Sequence, residues 1–260
     1  MNNQEFSLFD SIEHALSSWW IVVAFMVVGG LVGWSVHLIL PPVYEARAVI
    51  TINMDFSKRE LTQLEEDTAF NAASDAINST IVMNLVIADT QSKGIVVTAS
   101  QFQRDFYLER RQSDWELLVR DRDPKVAATL ANIWAHESTD ALNGALAHAL
   151  QADQILAQVA GLNNCLAGVA PQVGVPQLDC KGLSQDVLQA MLKDQNTALA
   201  KEKGSSLGII SIMTISLTGL AVVPETPVIY GEAGLVLAGA FIGLVVSLWA
   251  VNIYKVSRHV

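Results

Sequence analysis

The sequence predicts an α+β membrane protein, with two transmembrane helices flanking an extracytoplasmic α/β base that carries a long protruding helical hairpin. Three observations predict it. A long apolar run stands near each end of the chain, and a strand-like segment lies beside each run. Between them come an Ala-rich helical stretch, a Gly/Pro-rich loop holding both cysteines, and a second helical stretch. The chain is 51% hydrophobic and 16% charged with mean hydropathy +0.35, whereas soluble domains carry about 25% charged residues. The deficit sits at the two ends. Glu45 to Glu202 reads as ordinary soluble protein, and the roughly 185 residues between the spans suffice for one domain with its own core.

The first span is Trp19–Leu40, 22 residues without Asp, Glu, Lys or Arg. At 1.5 Å per residue it crosses a hydrocarbon core of roughly 30 Å. Trp19 and Trp20 mark one interface, and Pro41-Pro42 end the helix at the other by removing donors and disfavouring the α region before them. His37, near that end, reads as an interfacial polar residue. Ala46-Arg47-Ala48 mimics a signal-peptidase site, but residues 1–18 hold no Lys or Arg and the apolar run is too long for a signal sequence. The expected assignment is a cytoplasmic tail over 1–18 and a retained span over 19–40.

The second span is expected over 229–254, with an apolar centre at Ala233–Val251 and Glu232 near its outer edge. Trp249 and Tyr254 mark the other interface, and Lys255 and Arg258 follow, so the positive-inside rule places residues 255–260 in the cytoplasm. Two spans then put both termini there and hold residues 41–228 outside. Gly29/Gly33 and Gly239/Gly243 each have G-x-x-x-G spacing. Such pairs let helix backbones approach, so these four residues are candidates for packing between spans or between protomers.

Within the central domain, Val43–Met54 is rich in Val, Ile and Thr and is expected to be a strand. Leu61–Asp89 has helical spacing, weakened at Asp67-Thr68 and at Asn78-Ser79, so that it can divide in two. Trp115–Arg120 is a second strand candidate. Asp123 and Pro124 are a good N-cap and first helical residue, opening a helix expected to run to about Leu162. Asn163–Gly182 is a loop, and a helix returns over Leu183–Lys203, which makes 124–203 a hairpin. Ser206–Val223 is β-branched and bounded by Gly204 and Pro224, and at least its start is expected to form the third strand. The first and third candidates border the spans, and pairing them would let both ends of the domain leave from one base.

Only Cys165 and Cys180 are present, with fourteen residues between them, and an extracytoplasmic location makes a disulfide their natural state. A metal site is not expected, since no His or second Cys pair lies beside either. A net charge of −10 argues against nucleic acid, whose phosphates need Lys and Arg. Phosphate-binding loops, nucleophile elbows, zinc-protease motifs and dinucleotide fingerprints are absent from the sequence, so neither catalytic residues nor cofactors are expected. His136 with Glu137 and Asp140, and the run Glu65-Glu66-Asp67, read as solvated helix faces. Arg110, Arg111, Arg120 and Arg122 are candidates to meet acidic faces of neighbouring protomers.

Three segments taken together resemble the chain-length determinant, or polysaccharide co-polymerase, family. They are Pro41-Pro42-Val43-Tyr44-Glu45-Ala46-Arg47-Ala48 at the way into the first strand, WELLVRDRDPKVAATLANIW over Trp115–Trp134, and Ala221-Val222-Val223-Pro224-Glu225-Thr226-Pro227 ahead of the second span. Their order and spacing extend the resemblance over nearly the whole chain. Departures exist: Tyr230 stands where the family often has a further proline, the helical part is short, and a cysteine-pinned tip is not a usual family feature. The resemblance implies a non-enzymatic homo-oligomeric ring in the bacterial inner membrane. Such a ring sets the length of a lipid-linked polysaccharide made by a partner glycan polymerase, and Pro224 and Pro227 match the family's proline-rich segment. The competing readings are a two-span extracytoplasmic sensor or adaptor, and a membrane scaffold with no glycan role. The sensor reading is weakened by the short stretches outside the spans.

Overall fold

The structure is a computed structural model, and it describes residues 19–168, 180, 182–229 and 231–258. The element order is α1 (Trp19–Ile39), β1 (Tyr44–Met54), α2 (Gln63–Ile77), α3 (Thr80–Ser92), α4 (Ala99–Asp105), β2 (Phe106–Arg111), β3 (Asp114–Asp121), α5 (Pro124–Ala167), α6 (Gln185–Ser205), β4 (Met213–Gly219) and α7 (Glu232–Arg258). The chain divides into two compact units. One holds α1, α7, residues 120–127 and the segments adjoining the two helices; the other holds residues 46–119 and 128–222.

In the first unit, α1 and α7 are both long and apolar enough to cross a membrane, and only 6% and 11% of their apolar windows are buried within the protein. Nearly all of that apolar surface faces outward, which in water would cost free energy and in lipid does not. The second helix starts at Glu232 rather than at residue 229, because Ile229 is drawn into a bridge with Val43. The first helical bond, Leu235 N–H to the Gly231 carbonyl at 3.1 Å, lies beyond that bridge.

In the second unit, a four-stranded sheet has the order β2-β3-β1-β4. The pairing expected between the first and last strand candidates is present: β1 and β4 run antiparallel, with Thr51 opposite Ser216 and Asn53 opposite Thr214. β2 and β3 form an antiparallel hairpin closed at Arg111 and Asp114, with Gln112 at φ 58° in its turn. One face of the sheet is apolar. Ala48, Ile50, Ile52, Trp115, Leu117 and Val119 are fully buried along it. Phe70, Ala73 and Ile77 of α2, Val82 and Val86 of α3, and Trp134 of α5 are buried with them. The two tryptophans satisfy their indole donors internally: Trp115 Nε1 bonds Ser74 Oγ at 3.0 Å, and Trp134 Nε1 bonds the Ile77 carbonyl at 3.4 Å. Phe102 and Phe106 stack at 4.3 Å, and each meets Trp134 edge-on at 5.5 and 5.4 Å. Such pairs contribute about 0.5–1.5 kcal/mol each beyond area burial.

Local chemistry sets the element ends. The stretch expected as one helix over Leu61–Asp89 divides at Asn78, which caps α2, and Ser79, whose hydroxyl accepts the Val82 N–H to open α3. Thr62 with Glu65, and Thr98 with Gln101, form capping boxes at the starts of α2 and α4. Asp123 Oδ1 accepts the Lys125 N–H at 2.8 Å at the start of α5. That helix runs 44 residues to Ala167, five past the expected end near Leu162, and spans about 66 Å.

α5 and α6 lie antiparallel. Ala152, Ile155 and Val159 pack on Leu199, and His148 Nδ1 meets Glu202 Oε2 at 2.6 Å. Cys165 and Cys180 are disulfide-bonded with Cα atoms 5.8 Å apart. The residues between them fall largely outside those described, and so does Tyr230. Of the segment Ser206–Val223, only Met213–Gly219 is strand. Leu207 and Gly208 take positive φ of 53° and 83°, which turns the chain out of α6. A second turn, Met213 N–H to Ile210 O at 3.1 Å, precedes β4. The β-branched residues before Met213 therefore serve turns rather than a ladder.

Candidate functional site: the paired spans and the segments that join them

α1 and α7 approach each other closely through their glycines. A Cβ built at Gly29 would overlap the Gly239 carbonyl oxygen and stand 3.0 Å from its carbon, and one at Gly239 would overlap the Gly29 oxygen. A Cβ at Gly33 would strike the Leu235 carbonyl, and one at Gly243 the Phe25 carbonyl. Rows of every fourth residue, Phe25, Gly29 and Gly33 on one helix and Gly243, Gly239 and Leu235 on the other, thus run antiparallel against each other. The spacing identified the four glycines. It left open whether they face the other span or another protomer, and in this structure they face each other within one chain. Phe25 and Leu235 escaped notice because their contribution is a main-chain carbonyl. Extending each glycine row by one further step of four would have reached them. Between helices in lipid, such approach replaces hydrophobic burial as the source of attraction.

Beyond the end of α1, Leu40 N–H still reaches the Val36 carbonyl at 2.8 Å, after which exposed Pro41 and half-buried Pro42 stop the helix. Val43 then exchanges backbone bonds with the segment before α7: its N–H donates to Ile229 O at 3.1 Å, and its carbonyl accepts the Val228 N–H at 2.9 Å. Tyr44 follows, half-buried at the first position of β1. Glu45 takes a 2.8 Å ion pair from Arg120. Pro224 and Pro227 are half-buried, while Glu225 and Thr226 between them are exposed. A side chain added at Gly231 would touch the Pro227 ring at 3.6 Å.

Of the arginines expected to reach neighbouring protomers, Arg110, Arg111 and Arg120 have partners inside the chain. Arg110 lies 4.0 Å over the Phe70 ring and 5.3 Å over Trp115. Arg111 pairs with Glu109 at 3.6 Å and with buried Glu116 at 3.4 Å, and Arg47 meets the other Glu116 oxygen at 3.3 Å. The polar sheet face also holds Thr51, bonded to Asp114 at 2.7 Å. Arg47 with Glu116, Thr51 with Asp114 and Arg110 with Phe70 were illegible because those partners stand far apart in sequence.

The ionisable groups displaced from their ordinary range are exposed and local. The Ser57 hydroxyl lowers Asp55, the Thr62 backbone N–H lowers Glu65, and the Lys93 ammonium lowers Asp89, while Asp105 raises Arg104. His136 makes a 3.2 Å contact with Asp140 on an open helix face. Among the described residues, no group of three His, Cys, Asp or Glu side chains is placed to hold a metal. An open groove of about 670 Å³ runs between Asn163 and Leu166 on α5 and Gln189, Lys193 and Asn196 on α6.

The geometry defines a two-span membrane protein of mixed α/β fold whose two apolar helices pack through glycine. Residues 4–90 match the model of the chain length determinant protein family (Wzz). That match contains the first of the three resembling segments, Pro41–Ala48; the other two lie outside it. Among solved structures, the chain is similar to a full-length bacterial polysaccharide co-polymerase at 10% identity and TM-score 0.40, covering 97% of this chain and 99% of that one. It is also similar to a mutant Shigella flexneri lipopolysaccharide O-antigen chain-length regulator, at 11% identity and TM-score 0.18, covering 71% of this chain and 99% of that one. The periplasmic domain of a chimeric chain-length regulator matches at 11% identity and TM-score 0.17, covering 70% and 99%. No curated protein sequence matches the chain.

Proposed function

We propose that this protein regulates the chain length of a lipid-linked cell-surface polysaccharide, without catalysing a reaction, as a homo-oligomer in the bacterial inner membrane. The observation that carries this reading is the match of residues 4–90 to the chain length determinant family. It is supported by two outward-apolar helices at the two ends of the described chain. In this reading the central domain lies outside the cytoplasm, where a disulfide between Cys165 and Cys180 persists. Both termini lie in the cytoplasm, as Lys255 and Arg258 favour. The partners are further copies of this chain, membrane lipids, and the polymerase that extends the glycan. Gly29, Gly33, Gly239 and Gly243 hold the spans together, Pro41, Pro42 and Tyr44 fix the way out of the first span, and Pro224 and Pro227 fix the way into the second.

The test is a clean deletion of the gene, with electrophoretic profiling of the surface polysaccharide before and after complementation. The expected outcome is loss of the modal length in the deletion and its return with the full chain. An unchanged profile in the deletion strain would sink the reading.

A further inference from the structure

The chain between β4 and the bridge at Ile229 is held by very little of its own backbone. Among the described residues, none from Leu220 to Pro227 makes a backbone–backbone hydrogen bond outside the helices and strands. Leu220 and Val222 are 65% and 81% exposed. Ala221, between them, is buried at 9%. Its two main-chain groups are both taken by one side chain: Ala221 N–H donates to Asn132 Oδ1 at 2.7 Å, and Asn132 Nδ2 donates to the Ala221 carbonyl at 3.1 Å. A carboxamide offers one acceptor and two donors on a rigid plane, so it pairs with a peptide unit as a neighbouring strand would. Buried Ala131 and Ile133 flank Asn132 on α5 and fix its position there. Aspartate would keep the acceptor and lose the donor. Alanine would lose both, and glutamine would carry the amide one methylene too far to keep both bonds in register.

We infer that Asn132 is a positioning residue: its carboxamide stands in for a missing strand partner and fixes the path of the chain three residues before Pro224, and through that path the length of glycan selected. The second half of this statement rests on the proposed function. Asn132 lies within Trp115–Trp134, one of the three resembling segments, and the sequence assigned it no role.

The experiment uses the full chain in its membrane, with Asn132→Ala, Asn132→Asp and, as a control on the same helix, Asn143→Ala, whose side chain is exposed. Two readouts are taken. The first is hydrogen exchange of the 217–223 backbone in the purified full-length protein. Asn132→Ala is expected to speed exchange at Ala221 about tenfold, with Asn132→Asp closer to the native chain and Asn143→Ala unchanged. The second is the polysaccharide profile in the complemented deletion strain. Asn132→Ala is expected to move the modal length at native protein level, and Asn132→Asp to move it less. If Asn132→Ala lowers the protein level, Asn132→Asp decides, because it retains the shorter of the two bonds.

Unchanged exchange at Ala221 overturns the clamp. Faster exchange with a native length profile overturns its link to length selection. If the deletion strain itself keeps the native profile, the proposed function falls and the length link with it, while the exchange result still judges the clamp.

Discussion

The span pair and the outer sheet unit solve opposite packing problems. In the sheet unit, close fit comes from bulk: Trp115 and Trp134 are fully buried, and Phe70, Phe102 and Phe106 crowd around them. In the span pair it comes from the absence of bulk, with Gly29 against Gly239 and carbonyls of Phe25 and Leu235 filling the space where a Cβ would stand. Water explains the difference. A domain in water gains by removing apolar area from solvent. Two helices in lipid gain almost nothing that way, and must gain by contact. The contrast also says where each unit tolerates change: the first is damaged by making residues smaller, the second by making them larger.

The largest expected effect follows from the first half of that contrast. Trp134→Ala leaves a cavity among Phe102, Phe106 and Ile77 and is expected to cost about 3–5 kcal/mol. Chemical denaturation followed by far-ultraviolet circular dichroism would show it, and a loss under 1 kcal/mol would mean that this core is not packed as described. The second half predicts that Gly29→Leu or Gly239→Leu separates the spans at a cost of about 1–3 kcal/mol. Gly30→Ala, whose added methyl would meet nothing nearer than 3.8 Å, should be neutral. Cysteine cross-linking between α1 and α7 in membranes would distinguish them, and equal cross-linking in all three variants would refute the glycine interface.

The smallest effect is electrostatic. The Thr62 backbone N–H and hydroxyl donate to the Glu65 carboxylate at 2.9 and 3.0 Å, with Arg59 at 2.8 Å, and hold it below its ordinary range. A carboxylate whose folded pKa is depressed contributes stability that is present above its unfolded value and lost as pH falls through the folded one. The start of α2 should therefore fray as pH falls below the ordinary carboxylate range, and Glu65→Gln should remove that dependence. Amide exchange over residues 62–66 at stepped pH would measure it; a pH-independent native profile would contradict it.

Much of this was legible because it depends on near neighbours. Trp19 to Leu40 announced a span by composition, and Asp123-Pro124 announced the start of α5 by its cap. β2 was not legible. In Phe106–Arg111 only Phe106 and Leu108 carry an apolar alternation, and Arg110 occupies the next place in it by lying over Phe70 and Trp115. A cation on an aromatic face looks in sequence like a solvated charge. α4, at seven residues, is too short for periodicity, though its capping box Thr98 to Gln101 was present to be read. Conversely, β-branched content overstated β4, because positive φ at Leu207 and Gly208 is a property of the turn rather than of the composition. Glu45 with Arg120 and Asn132 with Ala221 lie 75 and 89 positions apart, and only the fold could introduce them.

The place of β4 beside β1 has a consequence in time. Their ladder joins Met54 to Met213 and Val49 to Gly219, across more than half the chain, and α7 likewise packs on α1. Both pairings therefore wait for the late part of the chain to leave the ribosome. Loop closure over such separations is slow. Until it happens, β1 exposes an unpaired edge and the first span has no companion. A nascent chain stalled before Met213 lacks both closures at once, so neither unit can close until residues 213–258 are available.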